Sequence, residues 1–126
     1  LGKYFDYADI VEMHHEAKID SPSGTALALA RNLQESRDSP FIRPSPEKEP
    51  IEGARGGEME GVSIHSVRMP GRMAHHEVIL GTLGQTLSLR HDTINRECYM
   101  PGVVLAIREV VKSKGLVVGL EKLLGL

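Results

Sequence analysis

The densest run of reactive side chains is Glu12-Met13-His14-His15-Glu16-Ala17-Lys18-Ile19-Asp20-Ser21-Pro22-Ser23-Gly24-Thr25-Ala26. Imidazoles as a class titrate near neutral pH, so the adjacent His14 and His15 can give or take a proton there. Lys18 adds a cation a few residues on. Ser23-Gly24-Thr25 then leads into an Ala/Leu run and reads as a helix start, whose free N–H groups and positive dipole end suit an anion. Gly24 would let a ligand approach the backbone closely, and Thr25 would add a hydroxyl donor. The combination predicts a carboxylate or phosphate pocket beside a proton donor. Taken singly, each feature has a plainer meaning: a helix cap, a surface histidine, a solvated lysine. Their meeting within a dozen residues favours a site. One geometric condition applies. Successive side chains of a strand point to opposite faces, so both histidines serve one pocket only if the strand ends there and the chain turns.

The elements that must hold this cluster follow from patterning. Tyr7 to His14 mixes apolar and acidic residues around Ile10 and Val11 and predicts a strand. Ser, Pro and Thr ahead of Ala26-Leu27-Ala28-Leu29-Ala30 predict a helix over about residues 22–37. From Ser39 to Gly61, Pro40, Pro44, Pro46, Pro50, Gly53, Gly56, Gly57 and Gly61 interrupt any period, and a loop of this length is usually functional or lies in an interface. Three strands follow at 62–68, 76–81 and 85–91, with Leu83-Gly84 as a hairpin turn. Helical spacing runs from Asn95 to Lys114, either starting at Pro101 or bending there, and the tail ends in a short helix. This is an α+β fold: a four-stranded, mostly antiparallel or mixed open sheet with helices on one face. Val62, Ile64, Val67, Val78, Leu80, Leu87 and Leu89 offer more apolar surface than two helices need, which predicts that the other sheet face packs against a second copy.

Composition excludes several classes. The 126 residues suit one domain over 1–126, and 40% are hydrophobic, enough for a single core. A formal net charge of −2 gives no basis for nucleic-acid binding. No run approaches the roughly 20 apolar residues of a membrane span. The single cysteine, Cys98, precludes an internal disulfide, favours a reducing compartment, and reads most simply as a small core residue. The chain opens at Leu1 without Met or a signal-peptide pattern, which suggests an excised fragment with a partner domain elsewhere.

The cluster from Glu12 to Ala26 resembles the signature E-x-H-H-x-x-K-x-D-x-P-S-G-T-A of the dihydrodipicolinate reductase family, with every fixed position filled. Ile64-His65-Ser66-Val67-Arg68 with Pro70-Gly71, His76-Glu77-Val78 with Gly81, Gly102-Val103 with Ala106, and Gly115-Leu116-Val117 with Gly119-Leu120 extend the resemblance over essentially the whole chain. It implies the C-terminal, substrate-binding and assembly domain of an enzyme that takes hydride from NADPH or NADH and reduces a cyclic dicarboxylate on the route to lysine and diaminopimelate. It implies His14 as the acid that protonates the substrate, with His15 and Lys18 holding and polarising it, Lys18 also counted as catalytic. Gly24 and Thr25 would bind one carboxylate. It also implies a homotetramer in the cytoplasm, or in the plastid stroma of a plant. No G-x-G-x-x-G follows a strand, so no cofactor-binding residue is expected in this chain, which should be inactive alone. The rivals are a non-catalytic assembly module of the same fold and the catalytic domain of another carboxylate-specific dehydrogenase. A metal site is not expected: His75-His76, with His14, His15, His65 and His91, lacks zinc-ligand spacing, and structural hydrogen bonding suits His75-His76 better. Arg55 either reaches the pocket or serves a turn or subunit contact.

Overall fold

A computed structural model describes residues 1–125. The elements run β1 (Tyr7–His14), α1 (Gly24–Glu35), β2 (Gly57–Met59), β3 (Val62–Arg68), β4 (Ala74–Thr82), β5 (Gln85–Thr93), α2 (Met100–Val110) and α3 (Leu120–Leu123), with short 3₁₀ turns at Gly2–Tyr4 and Arg96–Tyr99. Two compact units divide the chain, Leu1–Asp92 and the residues from Thr93 onward.

In the first unit the sheet order is β2-β3-β1-β4-β5. β1 lies at the centre, parallel to β3 and antiparallel to β4. The sheet is mixed and open, as the pattern predicts, but it has five strands. The extra strand, β2, is three residues drawn from the long loop and pairs antiparallel with the start of β3. Its three residues, Gly57, Glu58 and Met59, carry no apolar alternation, so periodicity does not reveal it.

Register explains which residues make the core. Ala8, Ile10, Glu12 and His14 of β1 are all buried and lie on one face. Ile64 stands beside Ile10 on β3, and Leu80 and Val78 stand opposite Ala8 and Ile10 on β4. Helix α1 lays Ala26 and Ala30, both without solvent exposure, over this face. Small residues at those positions let the helix backbone approach the sheet, and Phe41 and Val62 complete the core. This changes one expectation. Val62, Ile64, Val78 and Leu80 are consumed beneath α1, so the apolar surplus on the opposite face is smaller than the sequence suggests.

Helix α1 starts at Gly24 rather than near residue 22. Ser23 is extended, and its hydroxyl accepts the Ala26 N–H at 3.2 Å, making it the N-cap. β4 starts at Ala74 and β5 reaches Thr93, both longer than expected.

In the second unit Asn95 caps the 3₁₀ turn by accepting the Glu97 N–H, and α2 begins at Met100. Pro101 sits in its first turn, where a missing N–H costs nothing, so the helix starts there rather than bends. Cys98 is exposed, not a core residue. It lies on the 3₁₀ turn, all four residues of which are exposed. Among the described residues no helix is long and apolar enough to cross a membrane.

Candidate active site

The site is built where β1 ends. His14 is the last strand residue and is buried; His15 begins the following turn and is exposed. The strand therefore does end at the pair, yet the two rings diverge. Only His14 continues the buried face. The turn is closed by the Lys18 N–H donating to the His15 carbonyl at 3.2 Å.

Beneath His14 lies Glu12, two residues earlier on the same face and fully buried. A buried carboxylate needs a partner for each oxygen, and Glu12 has them. Arg68, from the end of β3, donates to Oε2 at 2.8 Å and to Oε1 at 2.7 Å in a bidentate clamp. Nδ1 of His14 lies 2.5 Å from Oε2. The Ser23 N–H donates to Oε1 at 3.2 Å. Burial by itself would raise the Glu12 carboxyl, but hydrogen bonds from Arg68, Ser66 and His14 and the Arg68 charge outweigh it and hold the group at about 2. Glu12 is thus an anion that ties the His14 imidazole to the cap of α1.

That link reaches the start of the helix. Ser23 Oγ takes the Ala26 N–H and Ser23 O takes the Leu27 N–H. Among the described residues the amides of Gly24 and Thr25 have no protein acceptor, and they are the orphan donors of the first turn. Both residues are exposed, and a β-carbon on Gly24 would meet nothing within 4 Å. The cradle is open.

His76 closes the other side. Its ring packs edge-on to His14, centroids 5.4 Å apart at 78°, and its Nε2 lies 3.2 Å from Ser23 Oγ. Burial first, then the charge of His14, pushes His76 below the usual histidine value. Lys18 is three-quarters covered and pairs with Asp20 at 2.5 Å, and the Asp20 backbone carbonyl in turn accepts from Arg68. The Lys18 hydrogen bond also lowers the Asp20 carboxyl.

Of the residues that the sequence singles out, the structure ties His14 through Glu12 to Ser23, the cap of α1 that immediately precedes Gly24 and Thr25. It puts Lys18 in the same turn through Asp20 and Arg68, and leaves the exposed His15 aside. Sequence reasoning missed Glu12, Arg68 and His76 as site residues. A signal for Glu12 existed: period two puts a carboxylate on the same face as Ala8, Ile10 and His14, where an unpaired charge would be prohibitive. Arg68 and His76 reach it only through β3 and β4 pairing, where Glu12 stands opposite His76 and His14 beside Arg68.

His75 is structural, as its place at a strand start suggests: its Nδ1 lies 2.5 Å from Asp92 Oδ1, tying β4 to β5. Hydrogen bonds from Arg90 and His75 hold Asp92 at about 2. Arg55 serves the loop and sheet. It contacts Asp9 at 3.5 Å and Ser63 at 3.2 Å on the face opposite α1.

Comparison with known proteins decides the family. The model of the dihydrodipicolinate reductase C-terminus matches residues 1–124. The chain belongs to the dihydrodipicolinate reductase family. It is 53% identical over 125 residues to the 4-hydroxy-tetrahydrodipicolinate reductase of Dehalococcoides mccartyi, covering 99% of this chain and 47% of that protein. To the reductase of the same name from Desulfitobacterium hafniense it is 50% identical over 124 residues, covering 98% and 46%. Dipicolinate-bound dihydrodipicolinate reductase from Paenisporosarcina sp. TG-14 superposes with a TM-score of 0.85 at 48% identity, covering 94% of this chain and 45% of that one. The chain thus spans about half the length of the curated relatives it matches, corresponding to the C-terminal part of the family.

Proposed function

We propose that this chain is the substrate-binding half of an NAD(P)H-dependent reductase that converts 4-hydroxy-tetrahydrodipicolinate to tetrahydrodipicolinate in the cytoplasm. The observation that carries this reading is the Glu12 bridge, which holds the His14 imidazole against the cap of α1 beside the open amides of Gly24 and Thr25. A small diacid fits that arrangement chemically. One carboxylate takes the two amides and the Thr25 hydroxyl, in the favourable field of the helix start. Lys18 exchanges Asp20 for the ligand and offsets its charge, and His15 swings in from the exposed turn. His14 delivers the proton that the reduced ring needs, a role generally worth about 10²–10⁴-fold.

Gly53, Gly56, Gly57 and Gly61 run into strands β2 and β3, not into a helix N-terminus, so the strand–glycine turn–helix cradle for a pyrophosphate is missing among the described residues. This chain holds the diacid and moves the proton, and alone it is expected to reduce nothing. The face of the sheet opposite α1, with Val11, Met13, Val67 and Ile79 only partly covered, supports assembly as a homotetramer through that face.

The test is calorimetric titration of pyridine-2,6-dicarboxylate into the chain and into its Lys18→Ala and Thr25→Val variants. Saturable binding that each substitution weakens about tenfold is expected. Equal affinity in all three would overturn the reading in favour of an assembly module.

A further inference from the structure

The imidazole of His14 has two nitrogens, and the buried network distinguishes them. An ionised carboxylate can only accept hydrogen bonds. Both Glu12 oxygens are already engaged by Arg68, and Oε2 also lies 2.5 Å from Nδ1 of His14. Nδ1 must then be the nitrogen that carries hydrogen. Nε2, by contrast, has no protein hydrogen-bond partner among the described residues.

We propose that Glu12 is a positioning residue that locks His14 with its hydrogen on Nδ1 and so makes Nε2 the atom that passes a proton to the diacid. The part concerning the diacid rests on the function proposed above; the part concerning the ring does not. The step balances simply. The imidazolium N–H bond at Nε2 breaks, its hydrogen goes to the electron-rich carbon of the reduced ring as a proton, and the imidazole is left neutral with Nδ1–H still bonded to Glu12.

Arg68 makes the lock work. Its two bonds keep Glu12 an anion, and a carboxyl held at about 2 does not compete for the ring's proton. The Ser23 N–H on Oε1 adds a second function: the residue that orients the imidazole also fixes its distance from the start of α1. A purely structural Glu12 would need Arg68 and Ser23 but would be indifferent to the His14 tautomer, and this difference can be measured.

Long-range proton–nitrogen spectra of the chain with the His14 ring neutral should show hydrogen on Nδ1 and a bare Nε2. Hydrogen found mainly on Nε2 would overturn the proposal without any substitution, so the test survives a variant that fails to fold. Glu12→Gln puts an N–H donor within reach of Nδ1, and the hydrogen should move to Nε2; an unmoved tautomer in a folded variant would also overturn it. In a full-length reductase carrying this chain, Glu12→Gln should lower kcat by about 10²-fold and shift KM for the diacid by less than about threefold. An unchanged kcat would reduce Glu12 to a structural residue. The spectra need no ligand, so a failure of diacid binding and a failure of the tautomer lock are read separately.

Discussion

Replacing Arg68 with methionine keeps most of the side chain's length and removes its charge, leaving Glu12 buried without its cation. The carboxyl is held at about 2 instead of its ordinary 4.5, a difference worth about 3 kcal/mol of folding free energy at neutral pH. Arg68 is 18% exposed, and His14 and Ser66 would still support the anion, so screening and residual bonds trim the expected loss to about 2–3 kcal/mol. The pH dependence is the sharper part. A group with a depressed folded value stabilises above its unfolded value, here about 4.5, and loses that contribution as pH falls toward 2. The unsubstituted chain should therefore lose stability below pH 4.5. The gap between it and Arg68→Met should narrow to about 1 kcal/mol near pH 3. Urea unfolding at several pH values from 3 to 7 reads both curves. A gap that stays constant across that range, or one below about 0.5 kcal/mol at pH 7, would refute the claim that Arg68 sustains a buried anion.

Gly24→Ala should leave thermal stability almost unchanged, since its β-carbon meets nothing within 4 Å. The same methyl group would stand over the open amides and weaken pyridine-2,6-dicarboxylate binding at least about tenfold, read by calorimetry. Ile10→Ala, at the fully buried centre of β1, should cost about 2–5 kcal/mol in urea unfolding. Asp92→Asn should remove the charged partner of His75 and Arg90 and speed amide exchange in β5 while β1 stays protected.

Much of this was readable from residue types because local and global signals agree. β1, α1, β3 and the β4–β5 hairpin each carry their own period and turn chemistry, and Ser23 announces the helix by its capping hydroxyl. β2 was not readable, because three residues next to glycines gain their strand character from β3 alone. The candidate cradle was legible because the open amides of Gly24 and Thr25 belong to the helix start itself, wherever else the chain goes. Glu12, Arg68 and His76 were not, because what they do depends on pairing between residues more than fifty positions apart. The His14-His15 pair shows the limit of motif spacing. Adjacent in sequence, they part at the strand end, one into the buried network and the other into solvent.

Backbone amide shifts of the 15N-labelled chain, followed as pyridine-2,6-dicarboxylate is added, test the central claim most directly. A cradle joining the His14 ring to the first turn of α1 predicts saturating shifts at Gly24 and Thr25 together with a change at the His14 ring nitrogens. Shifts at neither place, or at only one of them, would contradict it.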